Sequence, residues 1–347
     1  MSDKLIFNLD STALRASSCA HKFYNTVVLG IKDKGMFNDT MFGVAFHKFL
    51  ARMQESEGNF SEAVKAARQI FSNPSIKIRE KKAHMDEKFL IKVCLDYWEY
   101  QSKDSSYSLL MNPIAKCWKC EGKGMIKIPD SPDNTSNYKT CEECHGEGTR
   151  LQPMVEQTFS IRVYEEDSFQ INIEGTLDEI GKITNGCYVV DDYKTTSSWQ
   201  VEKYLRPFRL SPQLKLYVWA IKTLAKQNPD GLLGPLIKLP VGARIKGIFI
   251  KSQKETEFKN SEVFQFKEQE MQEFEALLQT KILQLAGLIK KTILPIRNGA
   301  IEGTCMHPYG CLYFPLCAAQ DDVVRQHMIK NFYEVKPYKP LHFHDVE

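Results

Sequence analysis

Apolar residues recur along this chain with two different periods, and the change between them divides the sequence. Over 38–103 they recur every three to four residues, which predicts a mostly helical first hundred residues. Over 154–196 apolar and polar residues alternate, which predicts three strands rich in Val, Ile, Phe and Tyr. Helical spacing returns over 209–227 and 265–292, with a further strand, ARIKGIFIKS, between them. This order predicts a mixed α/β core decorated by helices.

The last two of the three strands are predicted to form a hairpin. The turn KITNG separates SFQINIEGTLDEI from CYVVDDYKTT, and its Asn-Gly pair is typical of a tight connection. Antiparallel pairing would bring Asp178 within reach of Asp192. Because side chains alternate between the two faces of a strand, Asp192 and Lys194 share one face and Asp191 points to the other.

The two carboxylates and the ammonium form a candidate catalytic site. Neighbouring carboxylates disfavour joint ionisation unless a cation lies between them, and oxygen ligands suit Mg²⁺ or Mn²⁺ bound to a substrate phosphate. Lys194 would orient the attacking water or stabilise charge on phosphoryl oxygens. Glu156, at the start of the first strand, is a further candidate acid. The alternative is that these charges line the solvent face of a hairpin.

Residues 113–150 differ in composition from the segments on either side. Cys, Gly, Lys and Pro dominate, and two Cys-x-x-Cys-x-Gly-x-Gly units, CWKCEGKG and CEECHGEG, enclose a polar stretch. Each Cys-x-x-Cys turn offers two thiolates to one metal, so we predict an inserted zinc module. Its ligands would be Cys117, Cys120, Cys141 and Cys144. The nearby lysines would either grip a phosphate backbone or stay solvated; they are Lys116, Lys119, Lys123, Lys127 and Lys139.

A second group of cysteines lies near the C-terminus. GTCMHPYGCLYFPLC places Cys305, Cys311 and Cys317 with five residues between neighbours, which is an incomplete tetrahedral set. A metal site here would need a fourth ligand, and His307 could supply it for zinc. The alternative without a metal is that the cysteines are buried free thiols. The leftover Cys94 and Cys187 lie in apolar stretches and are predicted to be core residues.

Composition and charge limit the kinds of partner that the chain can bind. The chain has 347 residues, with 46 Lys and Arg against 43 Asp and Glu, so any nucleic-acid contact must be local. No apolar run approaches the roughly 20 residues of a membrane span, and the N-terminus does not resemble a signal peptide. We expect a cytoplasmic protein of prokaryotic or phage origin, in which cysteines bind metals before they form disulfides.

Several motifs together resemble one family. GTLDEI followed by VVDDYKT resembles the GxxD…(D/E)xK pattern of the PD-(D/E)XK nuclease superfamily, and is similar in particular to its RecB-like and CRISPR-associated exonuclease branch. GVAFHKFLARM resembles the Gly…His-x-x-Leu helix of that branch, which implies that His47 is a metal ligand. SPQLKLYVWA resembles its Gln-x-x-x-Tyr helix, so Gln213 and Tyr217 would contact DNA or brace the site. The resemblance implies a restriction-endonuclease-like core, a mixed central sheet flanked by helices.

The resemblance also implies cofactors. His47, Asp178 and Asp192 would bind Mg²⁺ or Mn²⁺, with Lys194 assisting the hydrolytic water. In that branch one early and three late cysteines hold an iron–sulfur cluster, which implies a 4Fe–4S cluster on Cys19, Cys305, Cys311 and Cys317 that joins the two ends of the chain. The Cys-x-x-Cys units resemble half of the DnaJ cysteine-rich domain.

These expectations divide the chain into four parts. Residues 1–112 would be the helical part of the nuclease, 113–150 the zinc insert, 151–320 the nuclease core with the iron–sulfur segment, and 321–347 a tail. The expected function is a metal-dependent DNA nuclease, favouring an exonuclease on single strands or duplex ends, in replication, recombination and repair, or CRISPR adaptation. The alternatives are a non-catalytic DNA-binding or scaffold subunit that recruits a protein through the zinc insert, and a zinc-dependent chaperone-like module.

Overall fold

The computed structural model describes most of the chain outside the predicted zinc insert. The described residues are 4–33, 36–56, 58–72, 76–78, 80–82, 84–116, 123, 125–127, 138–141, 149–252, 255–297, 305, 311–319 and 321–338. The helices are α1 (Ser11–Ala16), α2 (Ala20–Phe23), α3 (Asn38–Glu55), α4 (Phe60–Phe71), α5 (Glu87–Ser102), α6 (Val201–Leu205), α7 (Pro212–Gln227), α8 (Glu268–Ile289), α9 (Phe314–Ala318) and α10 (Asp322–Phe332).

The strands fall into one central sheet and several short ribbons. They are β1 (Leu5–Leu9), β2 (Ile31–Asp33), β3 (Met36–Phe37), β4 (Ile76–Lys77), β5 (Tyr107–Leu109), β6 (Met111–Lys116), β7 (Met125–Lys127), β8 (Tyr138–Thr140), β9 (Thr149–Pro153), β10 (Val155–Glu165), β11 (Phe169–Ile183), β12 (Tyr188–Thr196), β13 (Val241–Ile250), β14 (Thr256–Asn260) and β15 (Tyr333–Val335). The central sheet contains β1, β5 and β10 to β14. It is mixed: β1 runs parallel to β11, β12 runs parallel to β13, and the remaining pairs are antiparallel.

The predicted hairpin is present, and its two strands separate where the candidate site begins. Antiparallel pairing of β11 with β12 runs from Lys182↔Tyr188 to Glu179↔Asp191 and goes no further. Glu179 also pairs with β10, and 170–173 pair with both β10 and β1. Strands β1 and β12 therefore lie along the same edge of β11. Among the described strands neither pairs with 174–178, which leaves a gap in the sheet at this point.

Helices cover both faces of this sheet, as expected for the predicted core. Apolar residues of α1, α7 and α8 pack against one face in a single large cluster with strand residues such as Ile180 and Val190. Helices α3, α4 and α5 pack on the other face around Tyr193, Ile248 and Ile250. Cys94 and Cys187 are buried, as predicted.

The two ends of the chain pack together beside the sheet. Strand β15 pairs with β2, and Ile31 forms a small core with Tyr313, Leu316 and Tyr333. The Tyr313 hydroxyl donates a 2.6 Å hydrogen bond to the backbone oxygen of Ile31. The segment expected to be a tail therefore contributes α10 and β15, which hold the N-terminal and C-terminal segments together.

The segment predicted to be a zinc module leaves the body through a two-stranded ribbon. Strands β6 and β9 pair from Met111↔Pro153 to Lys116↔Thr149, and β7 pairs with β8 inside the insert. Cys141 is buried. The other predicted zinc ligands, Cys117, Cys120 and Cys144, lie outside the described residues.

Two of the strands that pair with β11 were not predicted from the pattern. Strand β1, LIFNL, has one polar residue and no regular alternation, and Leu5 and Ile6 on it are exposed. The segment β5 has three residues. Both are recruited by pairing with β11, which no local period can report. In the part of the chain that the structure describes, no helix combines the length and apolar character needed to cross a membrane.

Candidate active site

A cavity of about 260 Å³ opens at the gap between β11 and β12. Helices α3 and α7, the first turn of α1 and the start of β10 surround it. Because the last cross-strand pair is Glu179↔Asp191, Asp178 and Asp192 are the first residues of the open part. All seven residues predicted to act at the catalytic site line this cavity, namely His47, Glu156, Asp178, Asp192, Lys194, Gln213 and Tyr217.

His47 reaches the cavity from α3, which lies close to β12. One turn earlier on α3, a Cβ on Gly43 would lie only 3.0 Å from Thr195 Oγ1, so glycine permits the close approach. His47 Nε2 lies 3.0 Å from the backbone oxygen of Tyr193. A carbonyl oxygen only accepts, so Nε2 carries a proton and donates. The other nitrogen, Nδ1, then faces Asp178 Oδ1 at 3.3 Å and Glu156 Oε1 at 4.0 Å.

His47, Glu156 and Asp178 form a group of the size of a metal site. One ligand atom from each lies within 4.8 Å of the other two, and they form the one such group among the described residues. At a metal–ligand distance of about 2.1 Å, neighbouring octahedral ligands are about 3 Å apart and opposite ligands about 4.2 Å apart. The three side chains therefore fit a small divalent cation, and an imidazole with two carboxylates is a donor set that Mn²⁺ accepts.

The backbone of Glu156 is strained. Its φ of 48° lies in the left-handed region, which costs a residue with a Cβ roughly 1–2 kcal/mol. Such strain persists where the surrounding structure enforces it, and it concentrates at functional sites. The strain occurs at the residue whose carboxylate joins His47 and Asp178.

Asp192 and Lys194 form the second half of the site. Lys194 Nζ lies 2.6 Å from Asp192 Oδ2, and Gln213 Nε2 donates to Asp192 Oδ1 at 3.0 Å. The Tyr217 hydroxyl lies 2.7 Å from the same Gln213 nitrogen. Asp192 is only 1% exposed, and its Oδ2 receives no aligned hydrogen bond from the described residues despite the adjacent ammonium. A buried carboxylate oxygen left in this state has a lone pair available for a cation.

The two aspartates are driven toward different protonation behaviour. Burial raises the pKa of Asp192, and the Asp178 carboxylate raises it further, although Lys194 opposes both. Burial also acts to raise the pKa of Asp178, but His47 outweighs it and the pKa is lowered. Burial lowers the pKa of Lys194, yet Asp192 outweighs that effect and raises it, so Lys194 is charged at neutral pH.

His47 carries the positive charge that balances Asp178. Burial lowers its pKa, but the Asp178 carboxylate outweighs burial and raises the pKa to about 9. In the metal-free protein the imidazolium thus occupies the position of a cation between carboxylates. A divalent cation bound there would have to displace the Nδ1 proton.

Tyr193, between Asp192 and Lys194, links this cavity to the sheet behind it. Its backbone N–H donates to Asp178 Oδ2 at 2.8 Å, and its carbonyl accepts from His47. Its hydroxyl donates a short hydrogen bond to the Glu179 carboxylate. The Tyr193 backbone therefore holds two of the candidate metal ligands, while its side chain is anchored on the other face of the strand.

The anchor is a buried charge network on that other face. Lys246 Nζ lies 2.7 Å from Glu179 and 3.1 Å from Asp191, and Arg244 binds Asp191 through two nitrogens at 2.7 and 2.8 Å. Gln54 of α3 donates to Glu179 at 2.7 Å. Asp191 points away from the candidate site, as the strand period predicted.

Sequence reasoning missed some of the cavity lining. Glu174 and Asp10 both line the cavity, and Ser160 donates to Glu174 at 3.1 Å. Glu174 precedes Asp178 by four residues, so a regular strand period would have indicated it. Asp10 caps α1 by accepting from the Ala13 N–H at 2.7 Å, and only the pairing of β1 with β11 brings it to the site. Arg244 and Lys246 also went unrecognised, because they occur in a strand that looked like ordinary core.

The four cysteines of the predicted cluster line a second cavity of about 150 Å³. Cys19 lies there with Cys305, Cys311 and Cys317, so the structure brings both ends of the chain to one place. Burial raises the pKa of Cys305 and of Cys317, and the neighbouring Cys311 raises both further. His21 Nδ1 lies 3.4 Å from Cys317 Sγ.

The spacing of these four sulfurs can be compared with the spacing of thiolates around one zinc ion. Four thiolates on one zinc ion, at Zn–S distances near 2.3 Å, lie about 3.8 Å apart. No three of these four described sulfurs lie within 4.8 Å of one another. The described sulfurs are therefore spaced more widely than four thiolates around one zinc ion.

The sequence pattern of the PD-(D/E)XK nuclease superfamily matches residues 11–318 of this chain. The chain belongs to this superfamily. No curated protein matches the chain. One solved structure, described as the crystal structure of SSO0001, is 11% identical and covers 73% of this chain and 77% of its own; its TM-score is 0.27, too low for an argument about the fold.

Membership in the PD-(D/E)XK superfamily makes the chain a metal-dependent nuclease, an enzyme that binds nucleic acid and uses Mg²⁺ or Mn²⁺. It also accounts for the mixed sheet flanked by helices. The predicted GxxD…(D/E)xK motif lies on β11 and β12, at the point where the two strands separate. The motif and the cavity therefore lie in the same region of the molecule.

Proposed function

We propose that the chain is an Mg²⁺- or Mn²⁺-dependent deoxyribonuclease, acting from DNA ends, with its active site in the cavity between β11 and β12. The observation that carries this proposal is the group formed by His47, Glu156 and Asp178 within 4.8 Å. Beside this group stand Asp192 and a charged lysine, Lys194, 2.6 Å apart. A surface hairpin with unrelated charges would not bury them or orient them toward one point.

A divalent cation held by His47 Nδ1, Glu156 and Asp178, with Asp192 beside them, would supply Lewis-acid activation of a phosphoryl oxygen. The protein's own groups do the positioning. The Tyr193 carbonyl fixes the His47 tautomer, so that the Nδ1 lone pair can face the carboxylates once its proton leaves. Gln213 donates to Asp192 Oδ1, and Lys194 pairs with Oδ2.

Lys194 has the position and charge to act on the attacking water. Its ammonium is charged at neutral pH because Asp192 raises its pKa. It therefore orients the water as a hydrogen-bond donor and stabilises negative charge on the phosphoryl oxygens as the P–O bond breaks. The Asp192 carboxylate keeps Lys194 in place and takes part in binding the cation.

The size of the cavity supports action on an unpaired strand or an end. With a volume of about 260 Å³ it admits part of one sugar–phosphate chain. The similarity of the motifs to the exonuclease branch favours exonuclease over endonuclease activity. The similarity of the motifs to the RecB-like branch supports a role in replication, recombination and repair, or CRISPR adaptation.

Two further metal groups belong to the proposal. A 4Fe–4S cluster on Cys19, Cys305, Cys311 and Cys317 would join the chain ends that already pack through Tyr313 and Ile31. Zinc on Cys117, Cys120, Cys141 and Cys144 would fold the insert, which would contact DNA or a protein partner. Anaerobically purified protein should contain about four iron atoms per chain and one zinc ion. Anaerobic protein without iron would reject the cluster.

The test of the nuclease uses anaerobically purified full-length protein and end-labelled single-stranded and double-stranded DNA. Mn²⁺ or Mg²⁺ should support cleavage and EDTA should abolish it. Lys194→Ala and Asp192→Ala should each lower the rate by roughly 10³-fold. Lys182→Ala, which removes an exposed lysine at the far end of β11, is the matched control and should keep full activity.

Product length on the two labelled ends gives the polarity. Absence of metal-dependent cleavage by folded, iron-loaded protein would reject the enzyme and favour a DNA-binding scaffold subunit. Equal activity of wild-type protein and Lys194→Ala would reject the cavity as the active site.

A further inference from the structure

We propose that Trp199 and the basic groove beside α6 bind the unpaired strand of the substrate, with one base stacked on the indole ring. This inference rests on the proposed function and specifies which nucleic acid the enzyme grips. It assigns a recognition role to a segment that none of the catalytic motifs includes. The support comes from the position of Trp199, its exposure and the charge of the groove.

Trp199 lies directly beyond the catalytic strand. Strand β12 carries Asp192 and Lys194 and ends at Thr196, so the indole follows the end of this strand by three residues. The Ser198 N–H donates to Thr196 Oγ1 at 3.2 Å and closes the bend. Trp199 therefore follows Lys194 by five residues along the chain, at the end of β12.

The helix after the bend is fixed against the site. Tyr204 of α6 lies close to the Thr196 side chain and to Lys194. Its ring packs edge-on against Phe249 of β13 at 5.6 Å and against Phe208 at 5.5 Å. In sequence, Trp199 lies between Lys194 and a helix that packs on the sheet.

The exposure of the Trp199 ring has no explanation in packing. Its side chain is 65% exposed, whereas Trp98 and Trp219 are partly buried and pack against the two large cores. A tryptophan contributes to stability mainly by burying its large ring. Trp199 leaves most of that ring in water, so its value lies in what it can contact.

A groove of about 1290 Å³ lies along α6 and the turn that follows it. Its charged lining residues are Lys203, Arg206, Arg209 and Lys259, with Glu202 and Glu262. Arg209 is paired with Glu270 at 2.9 Å. The other three basic side chains form no ion pair with the described residues, so their charges are available to a phosphate backbone.

An exposed aromatic ring beside a basic groove is the combination that binds single-stranded nucleic acid. Bases stack on the ring while the groove follows the phosphates, and each stacked base strengthens binding by about tenfold. A base inside a duplex already has both faces covered by its neighbours. The indole therefore selects an unpaired strand, whereas the groove charges attract either form.

The experiment measures binding without cleavage, with full-length protein in Ca²⁺ and fluorescently labelled single-stranded and blunt duplex oligonucleotides. Trp199→Ala should raise the Kd for the single strand by about tenfold and change the Kd for the duplex by less than about twofold. Phe332→Ala, which removes a comparably exposed ring (63%) on α10, is the control and should bind as the wild type does.

Two further variants make the test specific. Trp199→Phe should keep most of the single-strand affinity but lose the quenching of indole fluorescence that the wild type shows on binding. Arg206→Glu should weaken both substrates and reduce the slope of log Kd against log salt by about one. Thermal melts that match the wild type confirm that each variant is folded.

Unchanged single-strand affinity in Trp199→Ala, or an equal loss for single strand and duplex, would overturn stacking on the indole. If Trp199→Ala gives either of these results while the wild type cleaves DNA with Mn²⁺, this inference is rejected and the proposed nuclease stands. If the wild type neither binds nor cleaves either DNA, the proposed function fails and this inference fails with it.

Discussion

Two groups of charged residues lie on opposite faces of β11 and β12, and their surroundings differ. On one side of β11 and β12, Glu179 and Asp191 meet Lys246 and Arg244 in a closed network. On the other side, Asp178 and Asp192 meet His47 and Lys194 around a cavity. Adjacent residues in sequence, such as Asp191 and Asp192, thus belong to environments with different purposes.

In the closed network, donors of neighbouring side chains pair with both carboxylates. Glu179 and Asp191 are both fully buried, and Arg244 and Lys246 supply matching donors at 2.7 to 3.1 Å. Burial acts to raise the pKa of Glu179, but Lys246 outweighs it and lowers the pKa. Both carboxylates are thus matched by cations of the chain itself, so the network contributes architecture.

The cavity group is left incomplete. Burial raises the pKa of Asp192, whose Oδ2 lacks an aligned donor, and Glu156 adopts a strained backbone. Two carboxylates near one imidazole leave negative charge that a divalent cation would neutralise. The structural cluster and the candidate site are both buried and charged. They differ in how fully their buried polar atoms are matched by partners within the chain.

Breaking the closed network should have the largest effect on folding. Asp191→Ala leaves Arg244 buried without its bidentate partner and should lower the free energy of unfolding by roughly 3–5 kcal/mol. Asp192→Ala, one residue away, should change it by less than about 1 kcal/mol, because burial already opposes the Asp192 charge and its partner Lys194 is 25% exposed. Urea unfolding monitored by circular dichroism measures both. Similar losses for the two variants would contradict the distinction.

The imidazolium of His47 should make the metal-free protein sensitive to pH. A folded-state pKa of about 9, raised above the unfolded value of 6.5, means that the His47–Asp178 pair stabilises fully below pH 6.5. This contribution, up to about 3 kcal/mol, should disappear as pH rises through 9. Unfolding of metal-free wild-type protein and His47→Gln across that range tests it. Equal pH dependence of the two proteins would count against the pair.

Removing only the link between the two groups should give an intermediate effect. Tyr193→Phe loses the hydroxyl bond to the buried Glu179 carboxylate and should destabilise by roughly 1.5–2 kcal/mol. Because the Tyr193 backbone holds Asp178 and His47, kcat should fall by about tenfold while KM for DNA stays within about twofold. Tyr188→Phe, on the same strand, is the control for both measurements. A change in KM alone would contradict the positioning role.

Relieving strain at Glu156 should separate stability from function. Glu156→Gly gives the position a residue that adopts positive φ freely and should stabilise the metal-free protein by about 1 kcal/mol. The same substitution removes a carboxylate from the candidate metal group, so Mn²⁺ affinity should fall by at least about tenfold. Calorimetric titration and thermal melts provide the two readouts. A variant that loses stability and keeps Mn²⁺ affinity would show that Glu156 is structural.

The sequence predicted the parts of this molecule that depend on local periods and adjacent residues. Alternation in SFQINIEGTLDEI and CYVVDDYKTT predicted the hairpin, and the Asn-Gly turn fixed its register well enough to bring Asp178 toward Asp192. The i, i+4 spacing placed Gln213 and Tyr217 on one face of α7, where both reach the Asp192 carboxylate.

What the sequence could not predict depends on contacts between distant segments. The gap in the sheet exists because β1 pairs with 169–173 and β12 with 179–182, and neither partner signals the other. The strain at Glu156 and the grouping of its carboxylate with His47 arise from that packing. The closed network depends on β13 lying beside β12, so Arg244 and Lys246 gave no local signal of their role.

The most direct test of the central claim is an anomalous-scattering crystal structure of the protein with Mn²⁺. The account predicts an anomalous peak in the cavity between β11 and β12, about 2.1–2.3 Å from His47 Nδ1 and from oxygens of Glu156 and Asp178. The Glu179–Lys246 network should contain none. Protein that cleaves DNA with Mn²⁺ but shows no peak in this cavity would contradict the account.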